Sequence, residues 1–513
     1  MRNDTLLTPP ASYGAVNSDE ESDGSYEIPP SFAISLEQTH DDDDHPDNLS
    51  QKLLTRAQSF RLPHDTERDF RGTQLKLSSF SRPHMRAFHG SWICYFLSLF
   101  LQFALCPLLP EIATSLHLTK SDVWLTNIYS MVGGIPMGLV LGPLCDQYGA
   151  RILITLLLVG GAIPCLCTGL VTNLHGLLWI RFMMGSMDTF VPGQYVYWIT
   201  CHFTRQVVGT AMAISGGWGA SGAGFVQLLV GTIIYPFCVY ITNGDTNLAW
   251  RISLIVPAIL ALYCADFFYK YNDDCPSGNY NQVKRAGLME ERSAVDLFRS
   301  GAMNMNSWIL FLQFAGSCGV DLTMCNGTAI YFHDRFHVSI ASAGAIAFLY
   351  GISSIYARGI GGYVSDALGD AFSLKGRLVA QMVIMILQGL VCVWFAQLET
   401  FGSSIVVMFV FSILIQMSMG TCFGIVSYVD GPNTGTVAGI VGAGGNVGAV
   451  WLGRIFMNNA NYQDSMEYMG WFTVVLAFLT PLIVIKGYRG LLFGKEEEHL
   501  VHDVSFSPLM VPS

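Results

Sequence analysis

The sequence predicts an all-α polytopic membrane protein, with twelve transmembrane helices in two pseudo-symmetric six-helix halves. Three observations lead there. Of 513 residues, 51% are hydrophobic and 13% charged, about half the charge of a typical soluble chain. Apolar runs of about 20 residues, each long enough to cross a bilayer, recur twelve times between Phe88 and Tyr488. One glycine-rich segment is also written twice: Gly209-Thr210-Ala211-Met212-Ala213-Ile214-Ser215-Gly216-Gly217-Trp218-Gly219-Ala220-Ser221-Gly222 lies without gaps on Gly435-Thr436-Val437-Ala438-Gly439-Ile440-Val441-Gly442-Ala443-Gly444-Gly445-Asn446-Val447-Gly448.

The spans centre near residues 102, 135, 161, 189, 222, 260, 317, 350, 387, 415, 446 and 477. Before them, residues 1–85 are rich in Ser, Asp, Glu and Pro without helical periodicity, and read as a disordered acidic cytosolic tail. His40 and His45 flank Asp41-Asp42-Asp43-Asp44, a solvated charge run rather than a metal site. The first half then covers residues 86–270, a cytosolic middle loop 271–302, the second half 303–488 and a cytosolic C-terminal tail 489–513. No charged start followed by an apolar core opens the chain, so no cleavable signal peptide is expected. The thirteen cysteines are scattered, mostly within apolar runs, and should be free buried thiols.

Basic residues orient the spans. Arg82, Arg86, Arg151, the middle loop with Lys284 and Arg285, then Lys375 and Arg377 share one side, while the opposite loops hold little beyond Lys120 and Arg335. Both termini are therefore expected in the cytosol, with the plasma membrane favoured over an internal one.

The duplicated segment carries the functional reading. Glycines let helix backbones approach closely in a membrane, so Gly216, Gly217, Gly219, Gly442, Gly444 and Gly445 are expected at helix contacts. A duplication of this kind implies a two-fold transporter with its substrate between the halves. A second matching pair supports the halves: Gly142-Pro143-Leu144-Cys145-Asp146 and Gly362-Tyr363-Val364-Ser365-Asp366 both place a glycine four residues before an aspartate. Arg151 follows the first, Lys375 and Arg377 the second, so each aspartate has the makings of a cytosolic charge latch.

Eight residues before the motif aspartate stands Arg358 in the second half and Gly138 in the first. An arginine two turns inside a bilayer costs on the order of 2.5–3.5 kcal/mol and needs a polar cavity and a partner. Its forked donors suit a planar oxyanion; the alternative is a salt bridge to another helix, for instance with Asp321. Asp321 is also a candidate for protonation during coupling. Asn326, further along the same helix, lines that cavity or bridges helices. Asn446 aligns with Ala220, and its amide serves either a substrate or a neighbouring helix.

With these motifs in view, the chain resembles the nitrate/nitrite porter family of the major facilitator superfamily, in its eukaryotic high-affinity nitrate transporter type. The resemblance runs from about Phe88 through the twelfth span. It rests on both glycine segments, on Thr189-Phe190-Val191-Pro192 with Gln194, on Gly319-Val320-Asp321-Leu322-Thr323-Met324, on Ala357-Arg358 and on Gly278-Asn279-Tyr280. It implies the major facilitator fold, rocking of the halves for alternating access, and proton co-transport. It also implies an anion clamp of one arginine from span two and one from span eight, with asparagines from the glycine helices and aromatic side chains around it. Arg358 matches the span-eight arginine, Asn446 the span-eleven asparagine and Phe190 the span-four aromatic. Gly138 stands where the span-two arginine belongs, and Ala220 where the span-five asparagine belongs.

The function expected is proton-coupled transport of nitrate, nitrite or another small planar anion. A substrate-altered porter or a non-transporting sensor is the alternative, because both departures remove polar groups from the first half. No nucleophile–base arrangement or metal cluster is apparent, and the glycine segments lack the lysine of a phosphate loop. An enzyme, a cofactor and nucleic acid are not expected; the partners are the anion, protons and the bilayer, with room for an accessory subunit.

Overall fold

A computed structural model describes residues 60–65, 70–187, 193–279, 294–429, 434–459, 461–485, 488 and 490–493. Its first half is built from α1 (His84–Gln102, continued through a 3-10 turn to Leu116), α2 (Lys120–Tyr148) and α3 (Ala150–Cys167). It continues with α4 (Leu174–Met187 and Gly193–His202), α5 (Arg205–Ala220, extended to Ile241) and α6 (Thr246–Ser253 and Ile255–Tyr271). The second half holds α7 (Met305–Phe336), α8 (340–371), α9 (374–396), α10 (Phe401–Val429), α11 (Thr434–Asn458) and α12 (Tyr462–Ala477). Eight helical segments among the described residues are long and apolar enough to cross a membrane; the longest, Ile340–Ala396, contains both α8 and α9. Phe372 and Ser373 break that segment with non-helical backbone, Ser373 at φ 58°.

Local chemistry sets the ends. Thr119 caps α2: its hydroxyl accepts from the Asp122 N–H, and the Asp122 carboxylate accepts in return from the Thr119 N–H at 2.9 Å. Asp245 and Ser339 cap α6 and α8 in the same way with one bond each.

The two halves meet along two seams. On one, α5 runs against α8: Cβ atoms added to Gly217 and Gly224 would lie 2.5 Å from the Ser354 carbonyl oxygen and 2.9 Å from the Gly351 Cα. Gly231 faces Gly344 on the same line, at 3.8 Å from its Cα. The glycines recur every seven residues on both helices, a spacing that keeps one stripe turned to the partner. On the other seam α2 runs against α11, where Gly134 abuts Asn446 and Gly453 abuts Ile128.

The duplicated segment also repeats its contacts inside each half. Gly219 and Gly222 of α5 press on Tyr95 and the Phe96 carbonyl of α1; their repeat partners Gly445 and Gly448 press on Cys318 and the Ala315 carbonyl of α7. One sequence repeat thus builds one helix pair twice.

The expectation of disorder up to residue 85 is corrected for its last stretch. His64–Asp65 pairs antiparallel with Arg71–Gly72, and Leu62 is buried. The reason is a clamp on the end of the bundle where α4 finishes: His84 Nε2 bonds the Phe70 carbonyl, and the Thr204 N–H after α4 donates to the Gly72 carbonyl. All thirteen cysteines are free thiols, most of them buried.

Candidate functional site

Arg358 lies at the centre of the bundle, 3% exposed. Its Nη1 donates to Tyr95 Oη and to the Gly216 carbonyl, both at 3.3 Å and both on the first half. Nε and Nη2 donate to Gln416 Oε1 on α10, at 3.2 and 2.9 Å, and Nη2 also reaches Met419 Sδ at 3.5 Å. Among the described residues, each of these partners is a neutral acceptor. The glycine at 216 is what admits this arrangement: a Cβ there would lie 2.7 Å from Tyr195 Oη and 3.4 Å from Arg358 Cδ. Tyr95 and Tyr195 stack 5.2 Å apart beside the guanidinium.

Asp321 completes the network without touching Arg358. Its carboxylate accepts from Gln416 Nε2 at 3.1 Å and from Tyr350 Oη at 2.9 Å. The Gln416 amide therefore turns its oxygen to the cation and its nitrogen to the anion. The direct salt bridge weighed from sequence becomes a relay through Gln416, which keeps the two charges linked while leaving the guanidinium with uncharged, displaceable partners.

Asn326 is not part of this network; of the two roles open from sequence, cavity lining and helix bridging, its contacts are those of a bridge. It lies five residues beyond Asp321, which turns a helix by about 140° and lifts it about 7.5 Å. There its Oδ1 accepts from Arg181 Nη2 at 2.9 Å and from Cys106 Sγ at 3.3 Å. Asn446 is buried at the middle of α11, where a Cβ on Gly134 of α2 would sit 2.9 Å from its amide carbon. Gly138 is buried one turn further along α2, and Ala220 is buried at the end of the first stretch of α5. Phe190 and the Asp146 side chain lie outside the described residues.

Gly217 meets α8, Gly219 meets α1, and Gly444 and Gly445 meet Phe311 and Cys318 of α7; Gly442 is buried beside them. Where α8 gives way to α9, Asp366 pairs with Arg377, the pairing expected for the second half. Arg151 meets Asp274, just after α6: the carboxylate accepts from its backbone N–H at 3.0 Å and lies 3.9 Å from its Nε.

Sequence reasoning missed Gln416, Tyr95, Tyr195 and Arg181. The signal that drew attention to Arg358, a charge inside an apolar run, was also present at Arg181, within Leu177-Leu178-Trp179-Ile180-Arg181-Phe182.

Comparison with known proteins agrees with this architecture. The family model described as Major Facilitator Superfamily matches residues 91–453. High affinity nitrate transporter 2.7 of Arabidopsis thaliana is 35% identical over 460 residues, covering 86% of this chain and 92% of that protein. High-affinity nitrate transporter 2.3 of Oryza sativa subsp. japonica is 34% identical, covering 85% and 84%, and nitrate transporter 2.1 of Chlamydomonas reinhardtii is 33% identical, covering 85% and 81%. Among solved structures, a bacterial homolog of the human lysosomal transporter Spinster superposes with a TM-score of 0.58 at 14% identity, covering 78% of this chain and 97% of that one. The nucleoside transporter NupG superposes at 0.53, again at 14% identity, covering 77% and 98%. These last two share the fold alone. The chain is a multi-pass membrane protein, not an enzyme, and belongs to the nitrate/nitrite porter family of the major facilitator superfamily, alongside the eukaryotic high-affinity nitrate transporters.

Proposed function

We propose that this protein is a secondary active transporter of nitrate, working by alternating access and coupled to protons, in the plasma membrane with both termini cytosolic. The observation that carries this reading is the Arg358–Gln416–Asp321 relay at the seam of the halves. A planar oxyanion reaching Arg358 takes the place of the Gln416 oxygen, because a full negative charge attracts the guanidinium more strongly than an amide dipole does and its paired oxygens match the forked donors. Gln416 then swings free, and Asp321 loses a donor that had stabilised its charged form. A carboxylate deprived of a donor in a buried site takes up a proton. Anion and proton thus enter together, and the occupied centre keeps a single net charge change of zero. Tyr95 and the Gly216 carbonyl hold the guanidinium from the first half, so both halves sense the load.

The test is labelled nitrate uptake across a pH series in cells without their own transporter. Uptake that rises at acid pH and vanishes in Arg358→Ala, with the protein still at the surface, is the expected result. Absence of uptake by surface-located wild type overturns it. That outcome favours the second reading, a substrate-altered porter or sensor, which Gly138 and Ala220 support by leaving the first half without its arginine and asparagine at the centre.

A further inference from the structure

A second buried guanidinium stands outside the central relay. Arg181 on α4 is 0% exposed. Its Nη1 donates to the Gln102 carbonyl of α1 at 3.1 Å, and its Nη2 to Asn127 Oδ1 of α2 at 2.6 Å and Asn326 Oδ1 of α7 at 2.9 Å. All three acceptors are neutral. Arg181 Nε and Asn127 Nδ2 are buried without hydrogen-bond partners, two unspent donors in one cluster. Asn127 and Asn326 also line a cavity of about 10 Å³ with Trp124 and Thr323, room for about one water.

The cluster sits on the side of the centre away from the middle loop. Arg181 and Asn127 are each seven residues from the starts of their helices, about 10 Å deep at 1.5 Å per residue. The cavity also lies at the seam, since Thr323 and Asn326 belong to the second half and Trp124 and Asn127 to the first. An aromatic pair closes it: Trp124 of α2 stacks on Phe456 of α11 with ring centroids 4.8 Å apart. Beside them Lys120 Nζ lies 3.7 Å from the centre of the Tyr462 ring, again joining the two halves. Separation of α2 from α11 would therefore open the cavity.

A buried cation held, among the described residues, only by neutral acceptors, with idle N–H donors beside it, is a site lacking its counter-charge. We infer that Arg181, Asn127 and Asn326 form an outer subsite for a small planar oxyanion, occupied before the anion reaches Arg358. Arg181 thereby supplies the first-half guanidinium that Gly138 does not. The identity of the anion as nitrate rests on the transport reading; the existence of the subsite does not.

The experiment is calorimetric titration of the purified full-length chain with nitrate. Wild type should bind two nitrate ions and Arg358→Ala one. Asn127→Asp, added to Arg358→Ala, sets a carboxylate of unchanged size against Arg181 and should weaken the remaining site at least tenfold. A purely structural Arg181 would keep its partner in that variant, so thermal melting should show the fold retained. The inference is overturned if Arg358→Ala binds no nitrate, or if Asn127→Asp leaves its binding unchanged. Failure of the transport reading looks different: wild-type vesicles take up no nitrate at any pH, while Arg358→Ala still binds one ion.

Discussion

Gly224 of α5 and Gly351 of α8 meet backbone to backbone: a Cβ on Gly351 would lie 2.5 Å from the Gly224 Cα and 2.7 Å from its nitrogen. Neither neighbour is a side chain that can swing aside. Because the helices belong to different halves, any atom added here works as a wedge on the closed seam.

Gly351→Ala should therefore impair the closed arrangement. Overpacking costs about 1–3 kcal/mol, enough to shift the closed population by roughly five-fold to more than a hundredfold. Uptake should fall while surface protein stays constant. Gly402→Ala, where nothing lies within 4 Å, should leave uptake unchanged. Equal uptake by both variants would mean that the seam does not close during transport.

The relay makes a sharper demand on Gln416. Gln416→Glu places a carboxylate on Arg358 Nε and Nη2, in the positions an anion must take. The variant should fold and reach the membrane, but bind nitrate at least tenfold more weakly at the centre. Retained affinity in a titration would show that the anion approaches Arg358 from another side.

Proton coupling is tested at Asp321. A carboxylate that must gain a proton with each anion makes uptake rise as pH falls; an amide cannot gain one. Asp321→Asn should keep both hydrogen-bond partners, Tyr350 and Gln416, within reach. The uptake that remains should be flat across pH. A wild-type pH slope in this variant would move the proton site elsewhere.

Much of this architecture was legible because membranes punish ambiguity. Apolar run length gave the spans, and the gapless glycine repeat gave the halves, since a backbone contact at Gly219 or Gly445 leaves no alternative residue. Arg358 stood out because a charge in an apolar run must be explained. Gln416, Tyr95 and Tyr195 were illegible: neutral polar and aromatic residues occur throughout such helices, and only the fold brings them to one guanidinium. Asn326 stayed between two roles because proximity in sequence to Asp321 hides a rotation to the other side of α7. The contact of Arg151 with Asp274 had no local signal either, since the two lie 123 residues apart.

That latch also caps a helix. Asp274 Oδ1 accepts the Arg151 N–H at the start of α3, where anions complement the helix dipole, and Gly149 before it holds φ +87°, a conformation suited to glycine. Asp274→Ala removes an N-terminal acceptor and should cost about 0.5–2 kcal/mol. The purified protein should melt a few degrees lower, with nitrate affinity unchanged. An unaltered melting temperature would reduce the latch to a surface contact.

Gly138 tests whether the centre has room for the arginine that the resemblance to the nitrate/nitrite porters implies at this position. The position is buried on α2, one turn from Gly134, which receives Asn446 of α11. Gly138→Arg adds a guanidinium on the first half, on α2 beside the α2–α11 seam, while Arg358 of α8 reaches the first half at Tyr95 and Gly216. If the anion binds between them, the added charge contact should tighten nitrate binding; each 1.4 kcal/mol gained is a tenfold lower Kd. Transport should then slow, because a more tightly held anion leaves more slowly. Titration and uptake on the same preparation read the two effects separately. Surface-located protein with unchanged affinity would mean that the centre has been rebuilt around Arg358 alone, and that the outer guanidinium of Arg181 carries the first half's share of the charge.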